Sequence, residues 1–278
     1  MSALLRDVRS GWQRQWRRAS RWWSAPVIDG QEIGSALRRL SASPQLVMVH
    51  SSLSACGTID GGAETVIRAL REWVGGGTLA MPAHSYCYPS ATTEAPVFDR
   101  TVTPSVVGAI TDAYWRRAGV VRSLHPTHSL AADGPAAGMI VEGHEQCDTP
   151  CGPRSPYERL VTMNAAVLMF GTGMHAYTLF HTAEDAAMVP YLYQASPVTL
   201  RYRTADGRQH AMTMRRHDMH VARSFEAKSS WLEEQGLLSR VPLGRGELLF
   251  IREAQSAHAA LVNQLRSHPR FLLAAAAA

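Results

Sequence analysis

The sequence predicts an α/β fold on a largely parallel sheet. Three observations carry that expectation: short continuous apolar runs, a strand-loop-helix-strand spacing between residues 45 and 82, and helical patterns alternating with further apolar runs. Residues 45–50 (QLVMVH) follow Pro44 and read as a short strand buried on both faces. A loop of small residues, 51–57, comes next. Residues 63–74 have helical periodicity, with Ile67, Leu70 and Val74 on one face, and Gly75-Gly76-Gly77 supplies the stop. Residues 78–82 (TLAMP) form the second strand, which completes a βαβ unit.

The pattern continues with a helix over 105–117, opened by Thr103-Pro104-Ser105, and a strand over 120–123. Residues 165–170 (AAVLMF) read as another buried strand that ends at Gly171-Thr172-Gly173, and 178–189 as a helix. Beyond Pro190, alternation over 199–202 and 209–214 around Ala205-Asp206-Gly207 predicts a hairpin, with one or two helices closing the chain.

The 278 residues are 46% hydrophobic and 18% charged, enough for a full core, and no Pro/Ser/Gly-rich linker divides them. The expected organisation is one domain over 26–278 behind a distinct segment, 1–25. That segment holds Arg6, Arg9, Arg14, Arg17, Arg18 and Arg21 against Asp7 alone, which accounts for the whole formal charge of +5. A neutral body argues against nucleic acid as a partner. Leu5, Val8, Trp12, Trp16, Ala19 and Trp23 form one helical stripe in the segment. An amphipathic basic helix of this kind packs on the body or a partner subunit, or lies on anionic lipid as a peripheral membrane contact. No run approaches 18 apolar residues and no apolar region follows the N-terminal arginines, so the expected location is cytoplasmic. Four cysteines are too few for a disulfide framework.

Three clusters carry potential chemistry. Arg122-Ser123-Leu124-His125-Pro126-Thr127-His128-Ser129 directly follows a predicted strand, where ligands of parallel α/β sheets bind. Thr178, His181 and Glu184 recur every three residues, so a helix places them along one side. A carboxylate one turn from an imidazole holds its tautomer and stabilises the imidazolium, as a general base requires, and the hydroxyl one turn earlier can meet a developing oxyanion. The third cluster, His144 to Gly152, contains Cys147 and Cys151; without a second thiol pair it does not complete a structural zinc site, and no metal is expected. Gly171-x-Gly173 lacks a third glycine, and Lys228 is the only lysine, so neither an NAD nor an ATP cradle is expected.

These pieces resemble the aminoglycoside 3-N-acetyltransferase family. The resemblance rests on Val49-His50-Ser51-Ser52-Leu53, Gly75 to Pro82, Phe98-Asp99, Thr103-Pro104-Ser105-x-x-Gly108, Arg122-Ser123-x-His125-Pro126, Thr149-Pro150-Cys151-Gly152 through Ser155-Pro156, and Thr178-x-x-His181-x-x-Glu184. It implies a single three-layer α/β/α sandwich with a C-terminal hairpin that uses acetyl-CoA as co-substrate and acylates an amine directly. It further implies His181 as the base, Glu184 as its orienting carboxylate, Thr178 as the group facing the tetrahedral intermediate and His125 as support behind the site. Ser51, Ser52, Thr103, Ser105, Val107 and Ser123 are implied as the coenzyme-facing wall.

The resemblance implies an acceptor that is an aminoglycoside or another amino sugar. Asp60, Glu64, Asp99 and Asp218 are the acids expected to line its cleft. The stretch Arg215-Arg216-His217-Asp218-Met219-His220 holds a single acid among bases, which favours an acceptor less cationic than an aminoglycoside. Two other classes stay open on sequence: a metal-dependent hydrolase using His125, His128, His144 and Cys147 or Cys151, and a CoA-binding relative without catalysis.

Overall fold

The computed structural model describes residues 27–274 apart from 42 and 91, and the helix expected over 1–25 lies outside the described residues. The strands are β1 (Val27–Ile28), β2 (Leu46–Ser51), β3 (Thr58–Ile59), β4 (Thr78–Pro82), β5 (Val97–Asp99), β6 (Val121–Arg122), β7 (Leu130–Asp133), β8 (Ala166–Phe170), β9 (Val198–Arg203), β10 (Gln209–Met214), β11 (Ser239–Leu243) and β12 (Gly246–Ile251). Seven of them form the main sheet in the order β11-β12-β8-β2-β4-β7-β6.

The expectation of a largely parallel sheet is corrected. Only β2–β4 and β2–β8 pair in parallel; the other four pairings are antiparallel. The reason is connection length. Parallel neighbours need a crossover of about a dozen residues or more, and only the loop 123–129 separates β6 from β7. The turn at 244–245 between β11 and β12 is shorter still. Pro242 sits in β11, an edge strand where a missing amide donor is tolerated.

The parallel centre is the predicted βαβ unit. The helix Gly62–Val74 joins β2 to β4 and ends at Gly75, whose φ of 60° lies in the left-handed region. The helix expected over 105–117 is confined to Ala109–Trp115. Gly108, at φ 121°, turns the chain into it, and the Ser105 amide donates to Asp112 Oδ1 at 3.0 Å, which keeps 103–107 as a loop.

Side chains on the central strands alternate between two cores. Val47, Val49, Leu79, Met81, Leu168 and Phe170 pack with the helices Gly30–Leu40, Gly62–Val74 and Ala109–Trp115. Met48, Ala80, Val167 and Met169 point the other way, toward the helices Pro156–Thr162, Leu179–Ala186 and Ala254–Ser267. The predicted hairpin is β9–β10, and it forms a separate sheet with β5 in the order β10-β9-β5. Among the described residues no helix is long and apolar enough to cross a membrane.

This topology brings the carboxyl ends of β2, β4 and β8 to one edge of the sheet. The residues that leave those ends, Ser51, His84 and Thr172, therefore converge there.

Candidate active site

The convergence makes a cavity of about 850 Å³. Its floor comes from the strand ends, one wall from the start of the Leu179–Ala186 helix, and another from the segment after β10. Thr178 immediately precedes the helix and His181 lies one turn in; both line the cavity.

His181 Nδ1 lies 2.7 Å from Glu184 Oε2. Glu184 is fully buried, and Arg223 Nε donates to its other oxygen at 3.0 Å. This buried guanidinium supplies the compensation that an interior carboxylate needs. A carboxylate on Nδ1 places the imidazole proton there and leaves the Nε2 lone pair for an incoming proton. His217 stacks on the His181 ring at 4.2 Å and Phe225 meets it edge-on at 5.3 Å, so the ring has little freedom to swing.

The remaining expected site residues are dispersed. Of the expected coenzyme wall, Ser51 and Val107 line the cavity. Ser123 Oγ accepts from the Leu130 amide at 2.8 Å and pairs with His144 Nδ1 at 2.9 Å. Thr103 Oγ1 accepts from the Asp99 amide at 2.9 Å. Ser105 is buried in the loop before Gly108, and Ser52 donates its amide to Phe170 O. These four are not part of the cavity lining.

His125 is not in the lining either. It is fully buried, its Nδ1 accepts the amide of His128 at 3.0 Å, and its ring stacks on His144 at 4.2 Å. It stands one layer behind His128, which does line the cavity.

None of the four expected acceptor acids lines this cavity. Glu64 pairs with Arg117, and Asp60 sits after β3. Asp99 accepts from Thr101 Oγ1 at 2.6 Å, and Asp218 Oδ1 accepts the His220 amide at 3.0 Å. The carboxylate that does line it is Glu226, paired with His175 Nδ1 at 3.1 Å.

Most of the surrounding imidazoles are neutral. Burial pushes His50, His84 and His144 down to about 3, and holds His125, His128 and His217 well below the usual histidine range. Burial likewise lifts the thiols: Cys56 and Cys147 to about 11, Cys87 above its ordinary value, and Cys151 well above it. All four are free and buried, so none is presented as a thiolate nucleophile.

Sequence reasoning missed Arg223 and left His84 unremarked, and it treated His217 only as one base in a basic stretch. Arg223 follows Glu184 by 39 positions and carries no motif. His84 follows β4 directly, so the rule placing ligands at strand carboxyl ends was the signal available for it.

Comparison with known proteins gives a consistent picture. A family model described as aminoglycoside 3-N-acetyltransferase matches residues 48–265. The chain is 31% identical over 265 residues to aminoglycoside N(3)-acetyltransferase IV of Salmonella sp, covering 94% of this chain and 92% of that protein. It is 39% identical over 160 residues to aminoglycoside N(3)-acetyltransferase VII of Streptomyces paromomycinus, covering 52% and 55%. Among solved structures, a histidine-to-alanine mutant of aminoglycoside acetyltransferase AAC(3)-IVa in complex with a gentamicin superposes with a TM-score of 0.77 at 29% identity, covering 90% of this chain and 93% of that one.

Proposed function

The chain belongs to the aminoglycoside 3-N-acetyltransferase family, an acyltransferase family, and we propose that its cavity joins acetyl-CoA to an amino group of an aminoglycoside or related amino sugar. The two-sided sheet is read as the three-layer α/β/α arrangement of such an enzyme.

The observation that carries the reading is the chain His181–Glu184–Arg223 opening onto the cavity at the strand ends. The acceptor amine must lose a proton as it attacks the thioester. His181 Nε2 takes that proton, a C–N bond forms, and the C–S bond then breaks to release the CoA thiol. Glu184 stabilises the imidazolium formed on the way, and Arg223 holds Glu184 in position. Thr178, which lines the cavity, donates its hydroxyl to the tetrahedral oxyanion in this reading. The acetyl group passes directly, because no buried thiol offers a nucleophile.

The test is thiol release by His181→Ala. We expect a loss of about two to four powers of ten with CoA binding retained. A variant that turns over at the parent rate overturns the role.

One observation favours a less cationic acceptor within the same reaction. The cavity lining holds a single carboxylate, Glu226, alongside Arg223, so among the described residues it offers little negative charge to a polycation. Rates on a panel of aminoglycosides and phosphate-bearing amino sugars decide this. Activity on the aminoglycosides alone would reverse it.

A further inference from the structure

Three side chains that take no proton in this acyl transfer meet beside the His181–Glu184 pair. His128 comes from the loop before β7, Cys151 from the approach to the Pro156–Thr162 helix, and His217 from the segment after β10. One nitrogen or sulfur atom from each lies within 4.8 Å of the other two, and all three residues are buried.

Their neighbours are committed elsewhere. His84 pairs with Tyr86 and Tyr157 through its two nitrogens. His144 pairs with Ser123 and the carbonyl of Pro150, and Cys147 donates to the carbonyl of Gly143. This removes His144 and Cys147 from the ligand set that the sequence suggested for a metal. His217 is different: it is 2% exposed, yet among the described residues neither of its ring nitrogens has a hydrogen-bond partner. His128 pairs with Thr127 through Nδ1, which leaves Nε2 for another partner. Cys151 is a free, fully buried thiol.

We propose that His128, Cys151 and His217 form a three-ligand site for a divalent transition ion of the zinc class, open toward the cavity, and that its occupation suppresses acyl transfer. Two imidazoles and one thiolate with a free fourth position are an established tetrahedral donor set for such ions. Bonds of about 2.0–2.3 Å space tetrahedral ligand atoms about 3.5 Å apart, so side-chain shifts of about an ångström close the site. On binding, the Cys151 S–H bond breaks, the proton leaves to solvent and the thiolate pair forms the S–metal bond. His128 and His217 both line the cavity, which gives the ion its entry path. Suppression follows from position: His128, His181 and His217 all line the cavity, and an ion held one ring away from His181 occupies space the incoming amine must cross.

The test uses the full chain stripped with chelator and titrated with Co²⁺. The expected result is one ion per chain and a thiolate-to-cobalt charge-transfer band, lost in Cys151→Ser and in Cys151→Ala but retained in Cys147→Ser. Circular dichroism confirms that each variant is folded. Saturating Zn²⁺ is expected to displace the cobalt and slow thiol release about tenfold or more. EDTA restores the rate, and Cys151→Ser keeps its rate in zinc. Absence of the band, or its survival in folded Cys151→Ser, overturns the site. Zinc that leaves the rate unchanged or raises it overturns the suppression. The cobalt band needs no acetyl acceptor, so its failure is distinct from failure of the transferase reading.

Discussion

His181 and His125 stand on opposite sides of one histidine cluster, and what holds each ring differs. Nδ1 of His181 faces the Glu184 carboxylate, with Arg223 behind it, and the rest of the ring looks into the cavity. Nδ1 of His125 accepts backbone amides from its own turn, and burial keeps the ring neutral. An imidazole with a carboxylate partner is built to carry a proton; one that accepts amide N–H groups in a dry turn is built to hold the turn. In the proposed reading the two rings differ in function because of partner and solvent, since the residue type is the same.

That contrast is sharpest in turnover. Beyond the His181 replacement, Glu184→Gln keeps the shape of the pair but removes the charge that stabilises the imidazolium. We expect turnover to fall about a hundredfold with the melting temperature little changed, measured by thiol release and calorimetry. Parent-like turnover would place the base elsewhere.

On the other side of the cluster, His125→Ala leaves buried amides of the 125–128 turn without an acceptor. The expected effect is a loss of about 1–3 kcal/mol in urea unfolding, with turnover of the folded fraction within about tenfold of the parent. A stable, inactive variant would give His125 a direct chemical role.

The neutral rings predict a pH dependence of stability. His50, His84 and His144 are held at about 3 by burial, while the unfolded chain protonates its histidines near 6.5. Their contribution is complete above about pH 6.5 and is lost as pH falls toward 3, because only the unfolded state then takes up protons. The slope is about 1.4 kcal/mol per pH unit per histidine at most. Unfolding midpoints at several pH values between 4 and 7.5 check it, and a flat profile would contradict the burial.

The smallest effect is expected at the thiols. Cys56→Ser and Cys147→Ser should change turnover by less than about twofold, because burial keeps both thiols protonated. A large loss with a normal fold would reopen an acyl-enzyme.

Much of the scaffold was legible because its signals are local. The strand over 45–50, the helix over 63–74 and the β9–β10 hairpin follow from runs, periodicity and turn residues within a dozen positions of one another. β7 was missed because Leu130-Ala-Ala-Asp carries mostly small side chains and gives no apolar run. The β11–β12 hairpin was read as helix territory, and with β7 it turned the sheet from largely parallel to mixed.

By itself the sequence determined the βαβ centre and the His181–Glu184 pair, because strand alternation and an i,i+3 helical spacing are geometric consequences of the chain's nearest neighbours. Only the tertiary structure decided that Arg223 completes the pair, that His217 stacks on His181 and meets His128 and Cys151, and that His125 lies behind the cavity wall. Those contacts join segments far apart in the chain, and a side chain's charge state depends on which of them arrives to exclude water.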